Sequence, residues 1–442
     1  MIKVETNCSS KMTDEEMRRV QGMGIEYLAA NFVGEDACYD GIVRFQERAA
    51  RYGLKISNAG CPQLQKCPSI HLGKPDRDEW IEKYNEFTRA LGKAGVSVNY
   101  IAWQPNGIFR TKIGAGKYNH GQNSFLCDLD EIKARPIAND REYGEDEIWS
   151  NFQYFLDKAL PVCEEANVKL ALHPNDPPIE SVGGVHCLIW NSDCYRRAFR
   201  MAHNSPYLTM KMCVGCWLES ESFGDLYKDI DEFVKADKIP IIHFRNVSGA
   251  LPYFEETLLE DGCEDMYALM KHIVRSGFDG FLNIDHAFFN EDGKGMNEVS
   301  TAYYTGYMKA LLHAAEKERL RKSRPGRKKK RRIQMNVQLI LTLVILVAMI
   351  VGFLSGKFKL GLVAMTAATL LCLTGVLTFD EAYANFANKN VIMIGGMFIL
   401  SGALSKTSLV SRVRDFMVSH GDKAKLIIFL YMVINVLLIQ VS

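Results

Sequence analysis

The N-terminus, MIKVETNCSS, has no apolar core of signal-peptide length, which argues against secretion. A disulfide framework is missing too. Eleven of the twelve cysteines precede residue 320, an odd number at irregular spacing, as expected of reduced cytosolic thiols. No GxGxxG follows an early strand, so the fingerprint of a dinucleotide-binding sheet is absent. A CxxC occurs at Cys213 and Cys216 without a second CxxC or an HxxxH, which leaves a structural zinc motif incomplete. The chain also lacks a charge bias, with a formal net charge of +1, but that figure averages two unlike regions.

At 442 residues the chain exceeds one ordinary domain. Residues 1–320 mix charges with regular apolar segments, and residues 335–442 are dominated by long apolar stretches. Between them lies a linker, 321–334, whose first twelve residues, RKSRPGRKKKRR, include nine Lys or Arg.

The first region alternates strand and helix patterns. Strands are expected at Lys3–Asn7, Ile25–Phe32, Leu54–Ser57, Val98–Trp103, Val168–His173, Leu208–Cys213, Pro240–His243 and Gly280–Asp285. A long polar insertion, Gln104–Glu145, follows the fourth. The helix after it places Ile148, Phe152, Phe155, Leu156, Leu160 and Val162 at helical spacing. Eight such units in about 320 residues predict an α/β fold, a (β/α)8 TIM barrel with inserted loops. A doubly wound open sheet is the alternative.

Strands five to eight end in metal-ligand residue types: His173 (LALHP), Cys213 (TMKMCVG), His243 (PIIHFRN) and Asp285 (LNIDH). In a barrel these ends share the C-terminal face, where active sites form. Two imidazoles, a thiolate and a carboxylate suit a divalent transition metal. Any one of them alone reads more simply as a structural residue; four from consecutive strands do not. Cys213 is preferred over Cys216 because it sits at the strand end. Arg245 could pair with a carboxylate through its planar fork, with an ion pair to a neighbouring helix as the plainer reading. His286 titrates near working pH and is a candidate acid or base. Arg110, Asn175 and Asp176 are candidate substrate-binding loop residues. Tyr303 and Tyr304 precede the last helix, where an aromatic more often packs.

Residues from about 147 to 315 resemble mannonate dehydratases, metal-dependent sugar-acid lyases of the xylose-isomerase-like barrel type. The stretches that carry this are NFQYFLDKALPVCEEANVKLALHPNDPP, TMKMCVG, IIHFRNV, YFEETLLEDGCEDMYALMKHI and NIDHAF. The resemblance implies metal ligands at His173, Cys213, His243 and Asp285, a catalytic His at His286 and a catalytic Tyr near Tyr303. The chain departs from the family where a paired His would follow the second strand (YLAANFVGED here) and where Gly-His would follow Asp-His (Ala287 and Phe288 here). The implied reaction is dehydration of D-mannonate to 2-dehydro-3-deoxy-D-gluconate with Mn2+ or Fe2+. Removing the proton beside a carboxylate needs that charge delocalised, which a divalent ion favours. The rival readings are a sugar isomerase or epimerase, and a non-catalytic sugar-acid sensor. Homo-oligomerisation is left open.

In the C-terminal region Val337–Leu354 meets the length for a bilayer span, with Leu360–Leu377, Val391–Leu404 and Leu426–Val441 as further candidates. The basic linker beside the first span sets a cytoplasmic side by the positive-inside rule, and so a cytoplasmic barrel on a bacterial inner membrane. That position favours topology over nucleic-acid binding. The stretch TGVLTFDEAYANFANKNVIMIGGMFILSGALSKTSL resembles the N-terminal end of anion permeases of the citrate and divalent-anion type. Transporters of that type need more spans than these, so transport by this fragment is not expected. Arg331–Arg332 shortly before Met335 is the pair that AGG AGG would encode, a ribosome-positioning sequence ahead of a start. The expectation is therefore that two neighbouring genes, dehydratase and permease, have been joined.

Overall fold

The chain is described by a computed structural model covering residues 2–322, 327–358 and 360–378. It divides into two units, Met1–Ser323 and Arg324–Ser442.

In the first unit eight short strands close into a parallel barrel. They are β1 (Lys3–Ser9), β2 (Tyr27–Asn31), β3 (Lys55–Gly60), β4 (Val98–Ala102), β5 (Lys169–His173), β6 (Leu208–Cys213), β7 (Ile241–His243) and β8 (Phe281–Asn283). Pairing follows chain order, and β1 closes the ring by bonding to both β2 and β8. Apolar runs buried on both faces, such as Leu170–Leu172 and Ile241–Ile242, are what a parallel sheet covered by helices requires. The helices start where side chains can satisfy their free N–H groups. Thr13 and Glu16 form a capping box before Asp14–Gly22, and Asn191, Asp225 and Asp265 cap later helices. The long helix Glu145–Ala166 stops at Asn167, which takes the left-handed conformation with φ 53°.

The register fixes the level of the strand ends. Cys213 pairs with His243, His243 with Asn283, and Ala102 with His173. Side chains alternate along a strand, so Lys211 and Cys213 share one face of β6.

The polar insertion is not an irregular loop. Lys112–Gly114 and Ser124–Asp128 pair antiparallel, and Tyr253–Glu255, which follows β7, adds the third strand. These strands are three to five residues long, too short for a visible alternation. The ladder continues with Glu256 N–H donating to Phe125 O at 3.0 Å, and a bridge between Asn123 and Phe289 ties the sheet to the segment after β8.

In the second unit the described helices are Arg327–Leu354 and Leu360–Leu373. Among the described residues, no helix is long and apolar enough to cross a membrane. The candidate spans Val391–Leu404 and Leu426–Val441 lie outside the described residues.

Candidate metal centre

β5, β6 and β7 end at His173, Cys213 and His243, and Asp285 lies two residues beyond β8. All four are buried, and their ligand atoms lie within 4.8 Å of one another. His173 Nδ1 is 2.8 Å from Pro174 O. Donation there fixes the tautomer and leaves Nε2 free to bind a cation. Among the described residues, both ring nitrogens of His243 lack a hydrogen-bond partner although they are buried. Its Nδ1 lies 3.0 Å from Asp285 Oδ1 without hydrogen-bond geometry. A buried imidazole without a partner is costly unless something else fills the position.

The charge states suit a cation. Burial pushes the Cys213 thiol up, but the Cys216 hydrogen bond, the Arg245 charge and His173 outweigh it and hold Cys213 well below the usual thiol range. Burial and the neighbouring Cys213 push Cys216 up, so Cys213 is the thiolate of the pair. Burial also opposes ionisation of Asp285, yet His243, His286 and Arg245 hold it well below the usual carboxylate range. Thiolate and carboxylate stand 3.7 Å apart, a repulsion that a divalent ion would relieve. Asp285 adopts φ 62° and its N–H donates to Asn283 Oδ1 at 2.9 Å. Asp tolerates this left-handed conformation better than most residues. Two imidazoles, a thiolate and a carboxylate therefore fit a divalent transition metal.

His286 adjoins the four. Its Nδ1 is 2.8 Å from Glu256 Oε1, and its ring packs edge-on to Phe125 of the inserted sheet. Burial lowers its pKa, but the Asp285 and Glu256 carboxylates outweigh that and raise it to about 9. Sequence reasoning missed Glu256, which falls in an irregular segment after a three-residue strand.

Arg110, Asp176 and Arg245 form a buried ion network with Glu219. Arg110 pairs with Asp176 and, at 3.1 Å, with Glu219. Arg245 lies 2.7 Å from Glu219, 3.0 Å from Asp285 and 3.3 Å from Asp176. A Cβ at Gly215 would lie 2.2 Å from the Arg245 guanidinium, so only glycine leaves Arg245 its place. Asn175 is held by Trp103 O at 3.1 Å and by Ile189 N–H at 2.8 Å. Tyr303 is half exposed and its hydroxyl donates to Glu260, while Tyr304 is buried and donates to Thr257 O at 2.8 Å.

Beside the metal ligands opens a cavity of about 270 Å³ that His243 and Asp285 line. Its other walls come from the ends of β1–β4 and the loop after β3, including Asn31, Asn58, Gln65, Lys66 and Tyr100, with Lys211 from β6. None of Arg110, Asn175, Asp176, Arg245, His286 or Tyr303 lines it. Applying the strand-end rule to β1–β4 as well as β5–β8 would have pointed to this wall.

Fold and site together define a parallel (β/α)8 barrel whose C-terminal face carries four buried residues able to hold a divalent metal. Residues 127–322 match the family described as D-mannonate dehydratase (UxuA), and residues 350–441 match the one described as Citrate transporter. The mannonate dehydratase of Thermotoga neapolitana is 29% identical over 314 residues, 62% of this chain and 85% of that protein. The one from Lactococcus lactis subsp. cremoris is 29% identical over 290 residues, 57% of this chain and 80% of that protein. The crystal structure of mannonate dehydratase from Streptococcus suis serotype 2 shares the fold, with a TM-score of 0.62 and 24% identity. That match covers 72% of this chain and 94% of the other.

Proposed function

We infer that this chain is a hydro-lyase that dehydrates D-mannonate to 2-dehydro-3-deoxy-D-gluconate, a step of hexuronate breakdown. The observation that carries this reading is the convergence of His173, Cys213, His243 and Asp285 beside a polar cavity, within a barrel similar to mannonate dehydratases. The four would hold one divalent ion, Mn2+ or Fe2+. When bound, such an ion supplies positive charge that draws the electrons of the C2–H bond toward the carboxylate. The C2 proton goes to a base, the C3 hydroxyl leaves as water with an added proton, and the resulting enol tautomerises to the 2-keto acid. His286, oriented by Glu256, is suited to move one of these protons. For Tyr303 to serve as its partner, the hydroxyl has to leave Glu260.

Arg110, Asn175, Asp176 and Arg245, expected to bind substrate, do not line the cavity, and Arg245 would act by positioning Asp285, 3.0 Å away. The barrel is proposed to be cytoplasmic, with residues 335–442 a partial permease-like segment in the bacterial inner membrane. The match to citrate transporters supports that placement. The full chain loaded with Mn2+ should release a 2-keto-3-deoxy acid from D-mannonate, detected by its carbonyl adduct. Metal bound at one equivalent with no product from any aldonic acid would sink the reading.

A further inference from the structure

We infer that Lys66 and Lys211 hold the carboxylate of an acidic polyol in the cavity, and so set the preference for sugar acids over neutral sugars. The inference rests on the cavity being the substrate site of the proposed reaction.

Both lysines line the cavity that reaches His243 and Asp285. Lys211 is 4% exposed, and its ammonium lies over the Tyr100 ring, 4.2 Å from the centroid. Lys66 comes from the loop after β3 and is partly buried. Among the described residues, neither ammonium has a hydrogen-bond or ion-pair partner. A buried, unpaired ammonium is costly, and long lysines seldom stay inside without an anion.

The nearby acids are already engaged. Glu5, inside the barrel, accepts from Ser57 at 2.5 Å and Asn58 at 2.8 Å through one oxygen, and from Asn283 at 3.0 Å through the other. Asp285 faces His243 and Arg245. The better carboxylate forks are occupied as well. Arg110 and Arg245 are each bound to Asp176 and Glu219, outside the cavity wall. Among the described residues, the cations left facing the cavity are thus the two lysines, one for each oxygen of a carboxylate. Asn31, Asn58 and Gln65 add neutral amides suited to hydroxyl groups. A cavity built for a neutral sugar would need the amides but neither charge.

The test uses the full chain loaded with Mn2+ and the variants Lys66→Met and Lys211→Met. Metal content and thermal midpoint are measured for each. With D-mannonate as substrate, each variant should raise KM by about 10- to 100-fold, the cost of a lost charge-assisted bond, with a much smaller change in kcat and no loss of metal. Inhibition by D-gluconate should weaken in parallel, and any weak binding of D-mannitol should not. Lys66→Arg should recover part of the loss. Unchanged KM in both folded variants would overturn the inference while leaving the dehydration intact. Should Lys211→Met fail to fold, the less buried Lys66 decides alone. If the wild-type chain makes no keto acid but binds D-mannonate in calorimetry, with the lysine dependence above, the reaction assignment fails and the inference stands. If neither turnover nor lysine-dependent binding appears, both fail.

Discussion

His71 is fully buried, stacked on Trp103 at 4.2 Å, and among the described residues neither of its ring nitrogens has a hydrogen-bond partner. Burial, aided by the Lys66 charge, lowers its pKa to about 3. The folded chain therefore keeps this imidazole neutral through the range in which an unfolded histidine, near 6.5, takes a proton. Stability from this residue is complete above pH 6.5 and declines as pH falls toward 3, by about 1.4 kcal/mol per pH unit. At pH 5 the loss amounts to about 2 kcal/mol. All five tryptophans lie in the first unit, so their fluorescence follows the barrel. In urea melts, His71→Phe should narrow the gap between pH 7.5 and pH 5 by about that amount relative to wild type; an equal gap in both proteins would refute the assignment. Such a residue is hard to read from sequence, because His71 closes the four-residue helix Pro68–His71, too short to show periodicity. Lys211 went unread although the pattern carried it. It stands two residues before Cys213 in an otherwise apolar strand, and alternation alone puts both on one face.

At the scale of elements, segments within the strand–helix alternation could be read, even the three-residue β7 and β8, and short strands outside it could not. The helix Glu145–Ala166 and the strand Leu208–Cys213 fall where the sequence pattern puts them, since both are long enough to show an apolar face. The inserted sheet was missed because its strands are short and its third member comes from a distant part of the chain. What holds it is a buried carboxylate. Glu255 accepts from Lys117 N–H at 2.9 Å and Tyr118 N–H at 2.8 Å, and from the Tyr253 hydroxyl at 2.7 Å. Glu255→Ala removes the acceptor of two backbone N–H groups at once, each worth about 1–3 kcal/mol with a charged partner. The segment around Lys112 and Lys117 should then open. Limited trypsin digestion of the variant should cut there at least several-fold faster than in wild type. Because the same sheet carries Phe125 against His286, turnover should fall with it. Equal digestion rates would show that the sheet is held by something else.

At the scale of the whole molecule, the eight strands, the four clustered ligands and the cavity all lie before residue 324. β1 pairs with β8, so the barrel's sheet is closed by residues 3–283 alone and leaves no edge for a later segment to complete. The ion network behind the ligands is also internal, joining Arg110, Asp176, Glu219 and Arg245. Nothing chemical in the proposed reaction is thus asked of residues 324–442, whose similarity is to a different family. A chain ending at Lys322 should fold, bind one metal ion and turn over D-mannonate with kcat and KM within about two-fold of the full chain, the spread expected when no transition-state contact is lost. The two forms should differ in where they are found. The full chain should stay with membranes through an alkaline carbonate wash, as an embedded segment would, and the shortened chain should not. A shortened chain that folds but loses turnover would mean that the second unit completes the site. A full chain that washes off with carbonate would mean that residues 335–442 do not embed in the bilayer, whatever family they resemble.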